Sequence, residues 1–271
     1  MRHRLVLALA AAVAAALAPA AHAAGPDLGT AKALAAGKVV YTTAASGGKT
    51  TVAVRRSRGA SPLRQRSLAG RWGIPLVTFN GEAGGLSHDG RLLVLSTTLR
   101  GQPLRPRSGF VVLDTRKLAV TRRIDLPGHF AYDALSPNGR TLYLIEHFEP
   151  NEILSYRVRA YDLGKGRLLP GVIVDKRNPG EAMSGMPSAR ISSANGRKVF
   201  TLYVSQEHPF VHLLDTVART AFCIDLPHGT DTRAIETATL RLTRGGRILT
   251  IHGTAGAGAH HVVDVNTLRV T

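Results

Sequence analysis

Five glycine turns recur along the chain at nearly even spacing. Gly37, Gly90, Gly139, Gly196 and Gly246 lie 53, 49, 57 and 50 residues apart, and an apolar run follows each. The clearest copies are LSHDGRLLVL at 86–95, LSPNGRTLYL at 135–144, SANGRKVF at 193–200 and LTRGGRIL at 242–249, with a weaker one, AGKVVY, at 36–41. Asp-Gly, Asn-Gly and Gly-Gly supply the positive φ that tight hairpin turns need. The Leu, Val, Ile, Phe and Tyr that come next suit buried strands. About twenty residues further on, another apolar run ends in aspartate, at Asp114, Asp162, Asp215 and Asp264. In three units a fourth run follows, as in RIDLPG at 123–128 and CIDLPH at 223–228. Four strands per unit at a period near fifty predict an all-β propeller of about five four-stranded blades. The chain begins near the second strand of its first unit and stops after the third strand of its last. Either residues 26–36 complete the ring, or closure is imperfect.

Residues 1–23 have the pattern of a cleaved secretory signal. Arg2 and Arg4 precede the apolar stretch Leu5–Ala18, Pro19 breaks it, and Ala21-His22-Ala23 offers a small-x-small cleavage site. The stretch is shorter than the roughly 20 residues of a spanning helix. The expected product is a secreted domain over 24–271 with no transmembrane segment. A single cysteine, Cys223, excludes an internal disulfide framework and multi-cysteine metal sites. Its apolar neighbours, Ala221, Phe222 and Ile224, predict a small buried filler. Trp72, the lone tryptophan, is expected in the core.

The run VVLDTRKLAVTRRIDLPG at 111–128, followed by LSPNGRTLYLIE at 135–146, resembles the bacterial YVTN/YncE-like β-propeller repeats. It is also similar to the PD40 repeats of TolB-type propellers. The resemblance extends over about 37–271 and implies architecture. Propellers of this kind include enzymes, binding proteins and scaffold subunits.

In the usual propeller order, strands A to D run outward from the axis, and the B–C and D–A loops open on one face. On that assignment every glutamate falls on this face: Glu82, Glu181 and Glu236 before A strands, and Glu146, Glu149, Glu152 and Glu207 after B strands. His129 and His228 before A strands, and His147, His208 and His252 after B strands, join them. Most aspartates instead occupy repeated turn or strand-end positions. Glu146, His147, Glu207, His208 and His252 are therefore expected to converge at a funnel, flanked by Glu181, Glu236 and His129. Such a mouth suits a ligand-binding or protein-interaction scaffold. Its alternative is a metal-dependent lactonase or hydrolase, with His147, His208, His252 and Glu146 as candidate ligands of a divalent metal. His260 and His261 adjoin on a strand and point to opposite faces.

The formal charge of +17 suggests an anionic cell-envelope polymer or a small anionic ligand as partner, besides a protein. Clusters at Arg55-Arg56-Ser57-Arg58, Arg64-Gln65-Arg66, Arg105-Pro106-Arg107 and Arg122-Arg123 carry that charge. Aromatic residues make up only 5% and do not interleave with these clusters, which argues against nucleic acid. No Gly-x-Ser-x-Gly elbow, phosphate-binding loop or His-Glu-x-x-His motif is present. The glycine-rich run 253–258 has the composition of a flexible B–C loop.

Overall fold

The computed structural model describes residues 28–98, 105–148, 156–180, 183–205, 208–254 and 260–271. A two-residue strand, β1 (Thr30–Ala31), precedes blade 1, which is built from β2 (Ala33–Ala36), β3 (Val39–Ser46), β4 (Lys49–Arg56) and β5 (Pro62–Ala69). Blade 2 contains β6 (Trp72–Pro75), β7 (Leu92–Thr97), β8 (Arg107–Asp114) and β9 (Ala119–Pro127), with β1 added at the inner edge beside β6. Blade 3 contains β10 (His129–Leu135), β11 (Thr141–His147), β12 (Tyr156–Asp162) and β13 (Arg167–Leu168). Blade 4 contains β14 (Met186–Ser192), β15 (Lys198–Val204), β16 (Phe210–Asp215) and β17 (Thr220–Asp225). A five-residue helix, α1 (Thr232–Glu236), leads into blade 5: β18 (Thr239–Thr243), β19 (Ile248–His252), β20 (His260–Asp264) and β21 (Arg269–Val270). Each blade is an antiparallel meander in chain order. Together they make a five-bladed β-propeller.

The repeated sequence motifs fold into repeated turns. Ser87 Oγ donates to Asp89 Oδ1 (2.7 Å), while the amides of Arg91 and Leu92 donate to Asp89 Oδ1 (3.0 Å) and Ser87 Oγ (2.9 Å). Ser136 with Asn138, and Ser193 with Asn195, reproduce this network in blades 3 and 4. The turn needs only a side-chain oxygen at its third position, so aspartate and asparagine interchange there. At the same end of the blade, after the third strand, Oδ1 of Asp114, Asp215 and Asp264 accepts from the amides two and three residues on. The fourth residue after each of these aspartates is left-handed: Leu118 (φ 52°), Arg219 (φ 58°) and Leu268 (φ 58°). In blade 3 the corresponding residue is Gly166 (φ 70°). A side chain at this φ costs about 1–2 kcal/mol, which glycine avoids at the expense of chain entropy. Arg219→Gly is therefore expected to stabilise the fold by about 0.5–1 kcal/mol, and Gly166→Ala to destabilise it by about 1 kcal/mol, read from urea unfolding midpoints.

Four buried apolar clusters join blades 1 to 2, 2 to 3, 3 to 4 and 4 to 5. None of the four joins blade 5 to blade 1. The termini also differ from the arrangement that the repeats suggest. Residues 33–36 complete blade 1 as its own inner strand, β21 completes blade 5, and Thr30–Ala31 pairs in blade 2. Closure by sharing one sheet between the two ends of the chain is thus absent among the described residues.

The axis is crossed by a hairpin-like excursion at 76–83, between β6 and β7. It is held by the Leu76–Ala83 bridge and by Val77 N–H donating to the Glu82 carbonyl at 2.8 Å. The return limb passes under the Val94 carbonyl at Gly85 (φ 100°), where a Cβ would lie 2.5 Å from that oxygen. Its tip reaches blade 4: Phe79 N–H donates to the Pro187 carbonyl (2.9 Å), and Asn80 Nδ2 to the carbonyls of Ser188 (2.9 Å) and Glu236 (2.7 Å). Ser188 is the extra residue of a bulge in β14, as Asp133 is in β10. Bulges re-aim residues out of the pleat. Here they serve the centre of the ring.

Candidate functional site

The inner strands of blades 3 and 4 are apolar runs with one charge each, Asp133 in HFAYDAL and Arg190 in MPSARIS. Arg190 Nη2 donates to Asp133 Oδ1 at 2.8 Å and to its carbonyl at 2.9 Å. The side chains are only 10% and 6% exposed. Asp133 Oδ2 is buried with no hydrogen-bond partner among the described residues. Glu82, on the crossing hairpin, faces the same guanidinium. It is open to solvent on one side, yet desolvation by the surrounding walls raises its carboxyl pKa, with the Arg190 charge and backbone amide opposing that rise. Burial pushes neighbouring Tyr132 up to about 12, so it remains a neutral hydroxyl.

Two cavities meet at Glu82 and Arg190. The larger, about 620 Å³, is walled by Thr78, Asn80, Ser188, Thr237 and Thr239 on the side of the D–A connections. The smaller, about 190 Å³, lies toward the A–B turns beside His88, Tyr132 and Asp133. The floor between them carries two carboxylates and one guanidinium. It is an acidic centre in a strongly basic chain.

Of the residues expected to converge at a funnel, those described have partners close by. Glu146 Oε2 accepts from Arg157 Nε (2.6 Å) and Arg159 Nη1 (2.7 Å), a local ion pair between β11 and β12. Burial raises the Glu146 pKa, but the two guanidiniums outweigh it and leave the carboxyl below its ordinary 4.5. His129 and His147 are buried and meet edge to face at 4.6 Å, with His129 Nδ1 accepting from the Arg105 amide. His208 Nε2 lies 3.1 Å from Asp225 Oδ1, and His252 packs on His260 at 4.5 Å. Glu236 is exposed and contributes its carbonyl to Asn80. Glu181 and Glu207, like Glu149 and Glu152, lie outside the described residues, as does most of the 253–258 glycine run. Among the described residues, no group of three His, Cys, Asp or Glu could hold a metal ion. Among the described residues, strand pairing gives most of these side chains nearby polar or ring partners.

Because the Glu146 pKa is lowered, its stabilising contribution is present above its unfolded value and lost as pH falls through the folded one. Glu146→Gln is expected to cost about 1–2 kcal/mol at pH 7. That difference should shrink below pH 4.5 in urea unfolding.

A second recess lies between blades 3 and 4. His208, Phe210 and His212 share a face of blade 4 with Asp225 and Cys223, since Phe210 pairs with Asp225 and His212 with Cys223. His212 is 3% exposed, and burial holds its pKa down to about 4, so it is neutral in ordinary buffers. Cys223 is half-buried, more open than its apolar neighbours imply. Trp72 is half-buried, packs against the cluster between blades 1 and 2, and donates Nε1–H to the Ala69 carbonyl. His261 is buried beside Thr230 while His260 is exposed, as alternation requires.

Some arginines of the basic clusters have local partners. Arg107 pairs with Asp125, and Arg123 lies over the Trp72 ring. Arg64 and Arg66 stand exposed on β5, where charge protects a sheet edge from pairing with another chain.

No known protein family matches the chain, and no curated protein sequence matches it. Solved structures do. The Dos1 propeller aligns with a TM-score of 0.50 at 11% identity, covering 84% of this chain and 55% of that one. The β-propeller domain of Myceliophteria thermophila Cps50 (Swd1) gives 0.47 at 14%, covering 88% and 69%. TolB from Acinetobacter baumannii gives 0.46 at 14%, covering 86% and 50%. The fold is that of a β-propeller. At these identities the likeness concerns the fold alone. Among the described residues, no helix is long and apolar enough to cross a membrane.

Proposed function

We propose that the mature chain is an exported binding scaffold, with repeats of the YVTN type, that takes a cationic group of a partner protein into its axial cleft. The cleft belongs to the face of the D–A and B–C loops. The observation that carries this reading is the composition of its floor, where Glu82 and Asp133 both face Arg190 and Asp133 Oδ2 has no hydrogen-bond partner among the described residues. Buried carboxylate oxygens favour a charged donor. A lysine side chain or an amino terminus supplies one, and the hydroxyl and amide walls suit the polar backbone that carries it. This departs from the anionic partners that net charge alone suggests. Export rests on the pattern of residues 1–23, and a secreted product beginning at Ala24 is its direct test.

The binding test uses the mature chain and short peptides of the form Gly-Lys-Gly, N-acetylated or carrying acetyl-lysine, followed by calorimetry and amide chemical shifts of Tyr132–Ala134. Lysyl peptides should bind, acetyl-lysyl and aspartyl peptides should not, and Glu82→Gln or high salt should weaken the binding. Affinity should also fall as acid protonates Glu82, starting above its ordinary 4.5 because its pKa is raised. Equal affinity for acetylated peptides, preference for aspartyl peptides, or no binding of any peptide would remove the reading.

A further inference from the structure

The chamber on the A–B side of the axis, about 190 Å³, has walls unlike those of the cleft above it. Val77, Tyr132, Leu135 and Val199 line it, all buried, with Leu34 and Ile191 half-buried toward the turns. Asp133 lines this chamber and not the upper cleft. Its side chain is 6% exposed, and Oδ2 has no hydrogen-bond partner among the described residues. A buried acceptor so placed forgoes the bond that would offset its desolvation. Glu82 and Arg190 close the chamber toward the cleft, so two carboxylates meet one guanidinium and one negative charge is in excess. The opposite end opens between exposed Ser192 and His88, whose ring lies where a Cβ on Gly196 would come within 2.7 Å of it.

We propose that this chamber binds a small primary alkylamine as its ammonium, with the head group on Asp133 Oδ2 and the hydrocarbon tail along the apolar walls toward the A–B turns. This goes beyond the peptide reading: ligand and entrance differ, and only the floor of the cleft is shared. The head group follows from that floor. An ammonium carries three donors and one positive charge, and its bond to a buried carboxylate is of the strong, charge-assisted kind. Arg190 Nη2 already serves Asp133 Oδ1 and the Asp133 carbonyl, which leaves Oδ2 for the ligand. Hard metal ions take about six or more oxygens, which these walls do not supply. The tail follows from the volume. An apolar cavity of about 150 Å³ holds benzene, so this one has room for a head group and a chain of about four carbons. Apolar walls with a few polar groups at one end are the usual form of a small-molecule site.

The test is calorimetric titration of the mature protein with n-butylamine at neutral pH, followed also by the amide shifts of Tyr132–Ala134 and Ser192. Butylamine should bind, and affinity should rise about fourfold for each methylene added between ethylamine and butylamine, as burial of a CH₂ requires. Butanol, which lacks the charge, and butyrate, which reverses it, should not bind. Leu34→Trp fills the half-buried mouth. Its melting temperature should hold while butylamine affinity falls more than about tenfold, the worth of two buried methylenes. Lysyl peptides, which enter by the opposite face, should keep their affinity for this variant. The folded pair Asp133→Leu with Arg190→Met should bind no amine. The methylene series is read on the unaltered protein, so it decides even where a variant is unstable. A flat series, equal affinity for butanol, unchanged affinity in Leu34→Trp, or amine binding by the double variant would each overturn the assignment. Peptide binding without amine binding would overturn it and spare the peptide reading, and amine binding without peptide binding would do the reverse.

Discussion

Arg190→Met is expected to cost about 3–5 kcal/mol of stability, the typical consequence of stranding one member of a buried ion pair. Asp133 lies among Tyr132, Ala134 and the inner walls of three blades, with a side chain only 6% exposed. Without the guanidinium its carboxylate has neither a hydrogen bond on Oδ1 nor a compensating charge. Removing both charges together, as Asp133→Leu with Arg190→Met, should recover much of the loss, because an apolar pair has no desolvation to overcome. The two residues are therefore expected to couple strongly in a double-mutant cycle of urea unfolding. A cost below about 1 kcal/mol for the single change would mean that water reaches the axis and screens the pair. The lysyl-peptide site would then lose its dry floor as well.

The blades were legible in the sequence because their turns are local. Ser87, Asp89 and Gly90, or Ser136, Asn138 and Gly139, determine a hairpin from within five residues of one another, with no help from the rest of the molecule. The aspartates that end the C strands are equally local, each serving amides two or three residues away. The site was not legible in this way. Asp133 and Arg190 are 57 residues apart and meet only because two bulged inner strands face one axis. Their one signal was a lone charge inside each apolar strand, and that pattern is weaker than an exposed Glu-His pair such as Glu146-His147. Loop position alone overstated that pair. It takes no account of cross-strand partners, and Arg157 and Arg159 on β12 claim Glu146. The excursion at 76–83 was also hidden. Its Asn80 bonds lie 108 and 156 residues away, beyond any local rule.

The arrangement of the apolar clusters sets an order of local opening. Blades 2, 3 and 4 each contribute to two clusters, whereas blades 1 and 5 each contribute to one. In blade 1, Ala33, Ala35, Ala44 and Thr51 remain exposed, and nearly all of β5 faces solvent. In blade 5, Thr239, Arg241 and His252 are exposed on the face away from blade 4. With half the buried interface, each end blade should open without unfolding the centre. Native-state hydrogen exchange is expected to show Leu144 and Leu202 protected to the global limit. Val52 and Ile251 should exchange on the order of 100-fold faster, about 2.8 kcal/mol below that limit. Asn80 makes a further distinction. Asn80→Ala removes the bonds to Ser188 and Glu236 that tie the excursion to blade 4 and α1, so it should speed exchange at Ile251 more than at Val52. Equal protection of all four amides would mean that blades 1 and 5 are locked together in solution, and that the ring opens only as a whole.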